Sequence, residues 1–148
     1  MKTSFAWLAC LVSVLSGTAR AAVVGPFSLN DYRGAVVKSD DFASSRCLVI
    51  AFLGTECPLA KLYGPRLQVL AREFEPQGVK FLAINSNQQD SISEIAQYVK
   101  QHGIQYPVLK DPGQKVADQF HASRTPEVFV LSPIGEVLYR GRIDDQYI

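Results

Sequence analysis

One cysteine in this chain stands where a thiol can do chemistry. In the stretch 51–61, Ala-Phe-Leu-Gly-Thr-Glu-Cys-Pro-Leu-Ala-Lys, an apolar run over 48–53 ends in a short polar turn that delivers Cys57 to the start of a helical pattern. A helix N-terminus carries unpaired N–H groups and about half a positive charge, which favour a thiolate over a thiol. A thiolate so placed can attack a disulfide and hold a mixed disulfide, or attack a hydroperoxide and become a sulfenic acid. Either product needs an external thiol, or a thiol-disulfide protein reductant, to release it.

The other candidates read differently. Glu56 opposes a thiolate if it lies close, and Lys61, one turn on, reads as a helix-surface charge. Cys47 opens the apolar strand and Cys57 follows its far end, so six residues at about 3.3 Å each hold them roughly 20 Å apart. A disulfide needs Cα atoms within about 7 Å, so Cys47 is expected to be a buried strand cysteine rather than a partner. Cys10 lies in the N-terminal apolar stretch, where Trp7-Leu8-Ala9 matches a lipoprotein signature poorly. His102 and His121 have no third ligand at useful spacing, so neither a metal nor a cofactor is assigned.

Composition sets the outer bounds. The chain has 148 residues, 47% hydrophobic and 20% charged, with a formal net charge of +1. That suits one domain with its own core, and lacks the charge excess that marks nucleic-acid or acidic-membrane partners. Lys2, the apolar stretch 5–15 and Ala19-Arg20-Ala21 read as the three regions of an export leader. Residues 1–21 are therefore expected to be a signal peptide and 22–148 the folded domain, exported to the periplasm or the cell exterior. The apolar stretch falls short of the roughly 20 residues of a membrane span, so none is expected after cleavage.

The elements that must position Cys57 follow from periodicity. A short strand-like piece and turn residues cover 25–34, 35–38 reads as a second short strand, a capped turn covers 39–45, and the central strand follows. A helix is expected over Pro58–Phe74 with Leu59, Leu62, Leu67, Leu70, Ala71 and Phe74 inward, and Gly64-Pro65 predicts a kink or a one-turn break. Val79–Asn85 reads as a strand, 86–91 as a polar loop, and Ile92–His102 as a helix with Ile92, Ile95, Ala96 and Val99 inward and Gly103 as its cap. An extended piece at 106–109, a short helix over 114–120, a strand from Glu127 and a hairpin returning over 136–140 complete the pattern. The order predicts an α/β fold, parallel at first and antiparallel at its last edge, with chemistry beyond the carboxyl ends of the strands. Asp144-Asp145 read as a polar tail.

The strand 47–53, the Cys-x-x-Ala-Lys segment at Cys57 and Thr125-Pro126 together resemble the thioredoxin superfamily, in its redoxin or AhpC/TSA branch. The resemblance runs over 27–142. It implies a thioredoxin-like mixed sheet flanked by helices, a redoxin-type insertion between Ile104 and Phe120, and a cis Pro126 packed beside Cys57. Thr55 or Thr125 is then a candidate hydrogen-bond donor to the thiolate, with a helix-capping turn residue as the other reading of Thr55, and Arg124 is a candidate positive charge if the proline loop lies alongside, with a solvated loop charge as its other reading. The catalytic set is then Cys57, Thr55, Arg124, Thr125 and Pro126. A thioredoxin-like fold normally adds a C-terminal helix after the last strand. None is evident here, so either the fold does without it or the chain is part of a longer product.

Departures from the family narrow the activity. Ala60 stands where a resolving cysteine would be, and Ala51 where thioredoxins bury an acid. Gly54 and Ile50 stand where the peroxiredoxin signature has threonine and proline. Two readings remain. One is an exported thiol oxidoreductase or antioxidant that reacts through a single cysteine with disulfides or hydroperoxides. The other is a catalytically degenerate module that keeps the cleft for binding or structure.

Overall fold

The computed structural model describes residues 22–144. The expected leader, with Cys10, lies outside these residues, as does Asp145. Strands β1 (Ser28–Asp31), β2 (Val36–Lys38), β3 (Cys47–Phe52), β4 (Val79–Asn85), β5 (Val108–Lys110), β6 (Glu127–Leu131) and β7 (Val137–Gly141) form one sheet in the order β2-β1-β5-β4-β3-β6-β7. Helices α1 (Pro58–Phe74), α2 (Ile92–His102) and α3 (Lys115–Phe120) cover it. The parallel part is β3-β4-β5, and both flanks of the sheet are antiparallel.

The central strand explains its own sequence. β3 pairs with β4 on one side and β6 on the other, and both of its faces are buried. Val49, Ala51 and Leu53 point into the core under α1 and α2, while Leu48, Ile50 and Phe52 point into the core under α3. A strand covered on both faces loses the polar alternation of a half-exposed one, hence the uninterrupted apolar run. Under α3, Phe52, Phe120 and Phe129 meet edge to face at 5.1–5.6 Å, and Phe27 joins Phe120 at 5.9 Å.

The helices differ from expectation in which residues they bury. α1 runs on through Pro65 as one element, not broken there. Its buried residues include Ala60, Tyr63, Gly64, Leu67 and Ala71, whereas Leu59 is exposed. On α2, Tyr98 takes an inward place and Ile92 faces solvent. Two tyrosines tie α1 to the segments packed against it: the Tyr98 hydroxyl donates to Ala60 O at 2.6 Å and the Tyr106 hydroxyl to Gly64 O at 3.2 Å. α2 itself begins in a capping box, Ser91 with Glu94, and ends at Gly103 with φ +61°.

Cys47 and Cys57 are both free thiols. Cys47 is half-buried rather than buried, and lines an apolar depression of about 370 Å³ with Val49, Phe81, Val130 and Tyr139. Asp144 is no loose tail: it accepts from the Tyr63 hydroxyl at 2.6 Å and pairs with Arg66 at 3.0 Å, fastening the segment after β7 to α1.

Candidate thiol site

The turn 54–57 leaves the end of β3 and brings Cys57 to the N-cap of α1, with Pro58 in the first turn. Proline fits there because its missing N–H would have had no partner. The Cys57 side chain does not cap its own helix. Its thiol instead donates to the Thr125 carbonyl, Sγ to O 3.4 Å, across 68 residues of chain. The Thr125–Pro126 peptide bond is cis. Two segments far apart in sequence, the strand-to-helix turn and the loop before β6, thus meet at one half-exposed sulfur.

Position 60 lies one turn into α1, fully buried in the core that also holds Ala51. A thiol at a helix start, a cis-proline loop against it and an alanine in the third place after it form a recognisable arrangement. The AhpC/TSA family matches residues 21–140. The chain belongs to that family.

Relatives agree on the fold. The thiol-disulfide oxidoreductase ResA of Bacillus subtilis is 28% identical over 76% of this chain, which spans 61% of that relative's length. An uncharacterized conserved protein from Geobacillus kaustophilus, of solved structure, is 32% identical with a TM-score of 0.81, covering 86% of this chain and 70% of the other. A putative thiol:disulfide interchange protein DsbE from Chlorobium tepidum superposes with a TM-score of 0.74 over 82% of this chain and 84% of its own. At 19% identity that likeness shows the thioredoxin-like fold alone.

Within this AhpC/TSA domain the expected site residues fall into two groups. Cys57, Thr125 and Pro126 come together as described. Thr55 is buried, and its hydroxyl makes no hydrogen bond to Cys57; it lies near the Asp90 carboxylate without closing a hydrogen bond of good geometry. Its backbone N–H carries the structural load, donating to Asp90 Oδ2 at 2.7 Å. Arg124 is exposed and forms no hydrogen bond or ion pair with Cys57 among the described residues. It borders, with Phe52, Asn87, Ser123 and Thr125, a cleft of about 300 Å³. Glu56 and Lys61 pair with each other at 3.5 Å on the surface, so neither charge stands alone beside the thiol.

Two buried carboxylates hold the two segments, and sequence reading did not single out either. Asp90, in the loop before α2, accepts from Thr55 N–H and from the side-chain amides of Asn85 and Asn87 at 2.6 and 2.8 Å. Glu127, at the start of β6, accepts from Ser123 N–H at 2.9 Å and from Arg140 Nε at 2.8 Å, while Arg140 also donates to His121 O at 2.6 Å. Burial alone would raise both pKa values. The donors outweigh it: Thr55 N–H and the Asn85 amide hold Asp90 below the usual carboxylate range, and Arg140 and Ser123 N–H do so for Glu127. The only sequence trace of either is an acid beside turn residues.

Proposed function

We propose that this domain is an exported thiol-disulfide oxidoreductase of the redoxin type that works through Cys57 alone. The observation that carries the reading is the Cys57 thiol at the α1 N-cap, half-exposed and facing the Thr125 carbonyl, with a buried alanine at position 60. In the first step the Cys57 thiolate attacks one sulfur of a substrate disulfide. A Cys57–substrate S–S bond forms, the substrate S–S bond breaks, and the departing sulfur leaves as a thiolate that takes a proton from water. Without a second thiol at position 60, an external thiol must attack the mixed disulfide, which restores Cys57 and carries the disulfide away. Hydroperoxides are the second oxidant class open to the same thiolate: one oxygen transfers to give the sulfenic acid, an alcohol or water leaves, and two external thiols reduce the sulfur back. The cleft beside Thr125, with Arg124 at its rim, gives the substrate a place to lie. Residues 1–21 act as the export leader, and the family match beginning at residue 21 supports that division.

Glutathione disulfide at neutral pH tests the reading. The expected result is a mixed disulfide on Cys57, formed about tenfold faster than on Cys47 and read by peptide mass spectrometry, because Cys57 sits at the helix start against the exposed Thr125 loop while Cys47 lies in the sheet among apolar side chains. Equal modification of the two cysteines, or none, would instead make the domain a binding module that retains the fold without the chemistry.

A further inference from the structure

The turn that carries Cys57 is gripped from outside. Thr55 N–H, two residues before the thiol, ends on the Asp90 carboxylate, and Asp90 lies 35 residues further along the chain at 3% exposure. Oδ2 receives Thr55 N–H and the Asn85 amide, and Oδ1 receives the Asn87 amide. The loop bearing Asp90 is itself tied to β5. Lys110 Nζ donates to Asn85 Oδ1 at 3.2 Å, to Asp90 O at 2.8 Å and to the Asn87 carbonyl. Gly54 is enclosed by the same groups: a Cβ there would lie 3.7–3.8 Å from Thr125 Oγ1, Asn87 Nδ2 and Asp90 Oδ2. The turn is therefore wedged between the Asp90 loop and the Thr125 loop.

A buried carboxylate is a costly way to satisfy one backbone N–H, since a charge out of water must have its acceptor positions filled. Here both oxygens are filled by donors, and a lysine fastens the backbone around them. We propose that Asp90 is a positioning residue for Cys57, fixing the turn 54–57 so that the sulfur stays against the Thr125 carbonyl. The proposal rests on the Cys57 chemistry above and adds a residue to it. Asp90 acts through the backbone of Thr55 and touches no substrate. The charged groups facing it are Lys110 from β5 and Glu94 from the first turn of α2.

Reaction of the full chain with dipyridyl disulfide, which accepts thiols in acid as well as at neutral pH, tests the proposal with Cys47 as internal reference. Asp90→Asn keeps the size but turns an acceptor into a donor facing donors. It is expected to lower the Cys57-to-Cys47 rate ratio about tenfold, the scale of one lost hydrogen bond to a charged group. Lys110→Met, which frees the same loop, is expected to lower the ratio in the same direction, and carries the test if Asp90→Asn does not fold. In the unaltered chain the ratio should fall as the pH drops through the Asp90 range below about 4, and Asp90→Asn should lack that step. The Thr55 amide proton resonance should move with the same titration in the unaltered chain, whatever Cys57 does. An unchanged ratio in both folded variants, an equal fall at Cys47, or a Thr55 amide indifferent to acid would overturn the proposal. A ratio near one in the unaltered chain would instead overturn the Cys57 reading, while the Thr55 titration still reports whether Asp90 holds the turn.

Discussion

At the residue scale, the decisive difference from a dithiol redox site is Ala60. Its side chain is fully buried in the core beneath α1, three residues after a half-exposed Cys57. Residues three apart at a helix surface lie about 5–6 Å apart at Cβ, and a disulfide needs roughly 4 Å, so a small adjustment of the first turn would bridge them. Ala60→Cys is therefore expected to form an intramolecular disulfide with Cys57 on mild oxidation, giving a product lighter by two hydrogens. The added sulfur must fit a packed site, at a stability cost of about 1–3 kcal/mol. The same variant should no longer accumulate the mixed disulfide with glutathione, because the new thiol releases it. Two thiols that both remain free in Ala60→Cys after oxidation, with the mixed disulfide still accumulating, would show that the turn is too rigid or too open for the pair to meet.

At the element scale, α1 depends on a close approach that periodicity does not encode. A Cβ on Gly64 would lie 2.2 Å from the Tyr98 hydroxyl and 3.1 Å from its ring carbon Cζ. Alanine in an exposed helix position normally gains about 1 kcal/mol over glycine; here Gly64→Ala is expected to destabilise by about 1–3 kcal/mol, since the hydroxyl must leave Ala60 O or the helices must part. Tyr98→Phe removes the clashing atom, so the double variant should lose less than the two single losses added together, a coupling measurable by urea unfolding. The bounds of α1 and α2 were legible because Pro58 and Gly103 are local signals that act within a turn. Their inward faces were less so. Tyr63 and Tyr98 are buried with hydroxyls that find acceptors on other elements, and Leu59 and Ile92 turn outward at the first residues of their helices, where the core ends.

At the scale of the whole molecule, Cys57 and Thr125-Pro126 could be read from the chain because each sits in a short motif. Asp90 and Glu127 could not, because they grip backbone N–H groups of Thr55 and Ser123, and an amide carries no side-chain signature. These acids, with Asp31, give the fold an acid limit. All three are buried, which alone would raise their pKa values, yet Arg33 and backbone N–H groups outweigh burial at Asp31 as the donors named above do at Asp90 and Glu127. Each folded-state pKa is thus lowered below the unfolded one. A carboxylate of that kind contributes its stability fully above the unfolded value, about 4, and loses it as the pH falls through the lower folded value. Urea midpoints should accordingly be nearly flat from neutral pH down to about 5 and fall steeply below about 4. Glu127→Gln should lower the midpoint at neutral pH, because Arg140 keeps only His121 O as a strong acceptor there, and should flatten the acid limb by removing one of the three titrations. An acid limb equally steep in Glu127→Gln would place the acid sensitivity elsewhere than in the carboxylates that hold the two loops around Cys57.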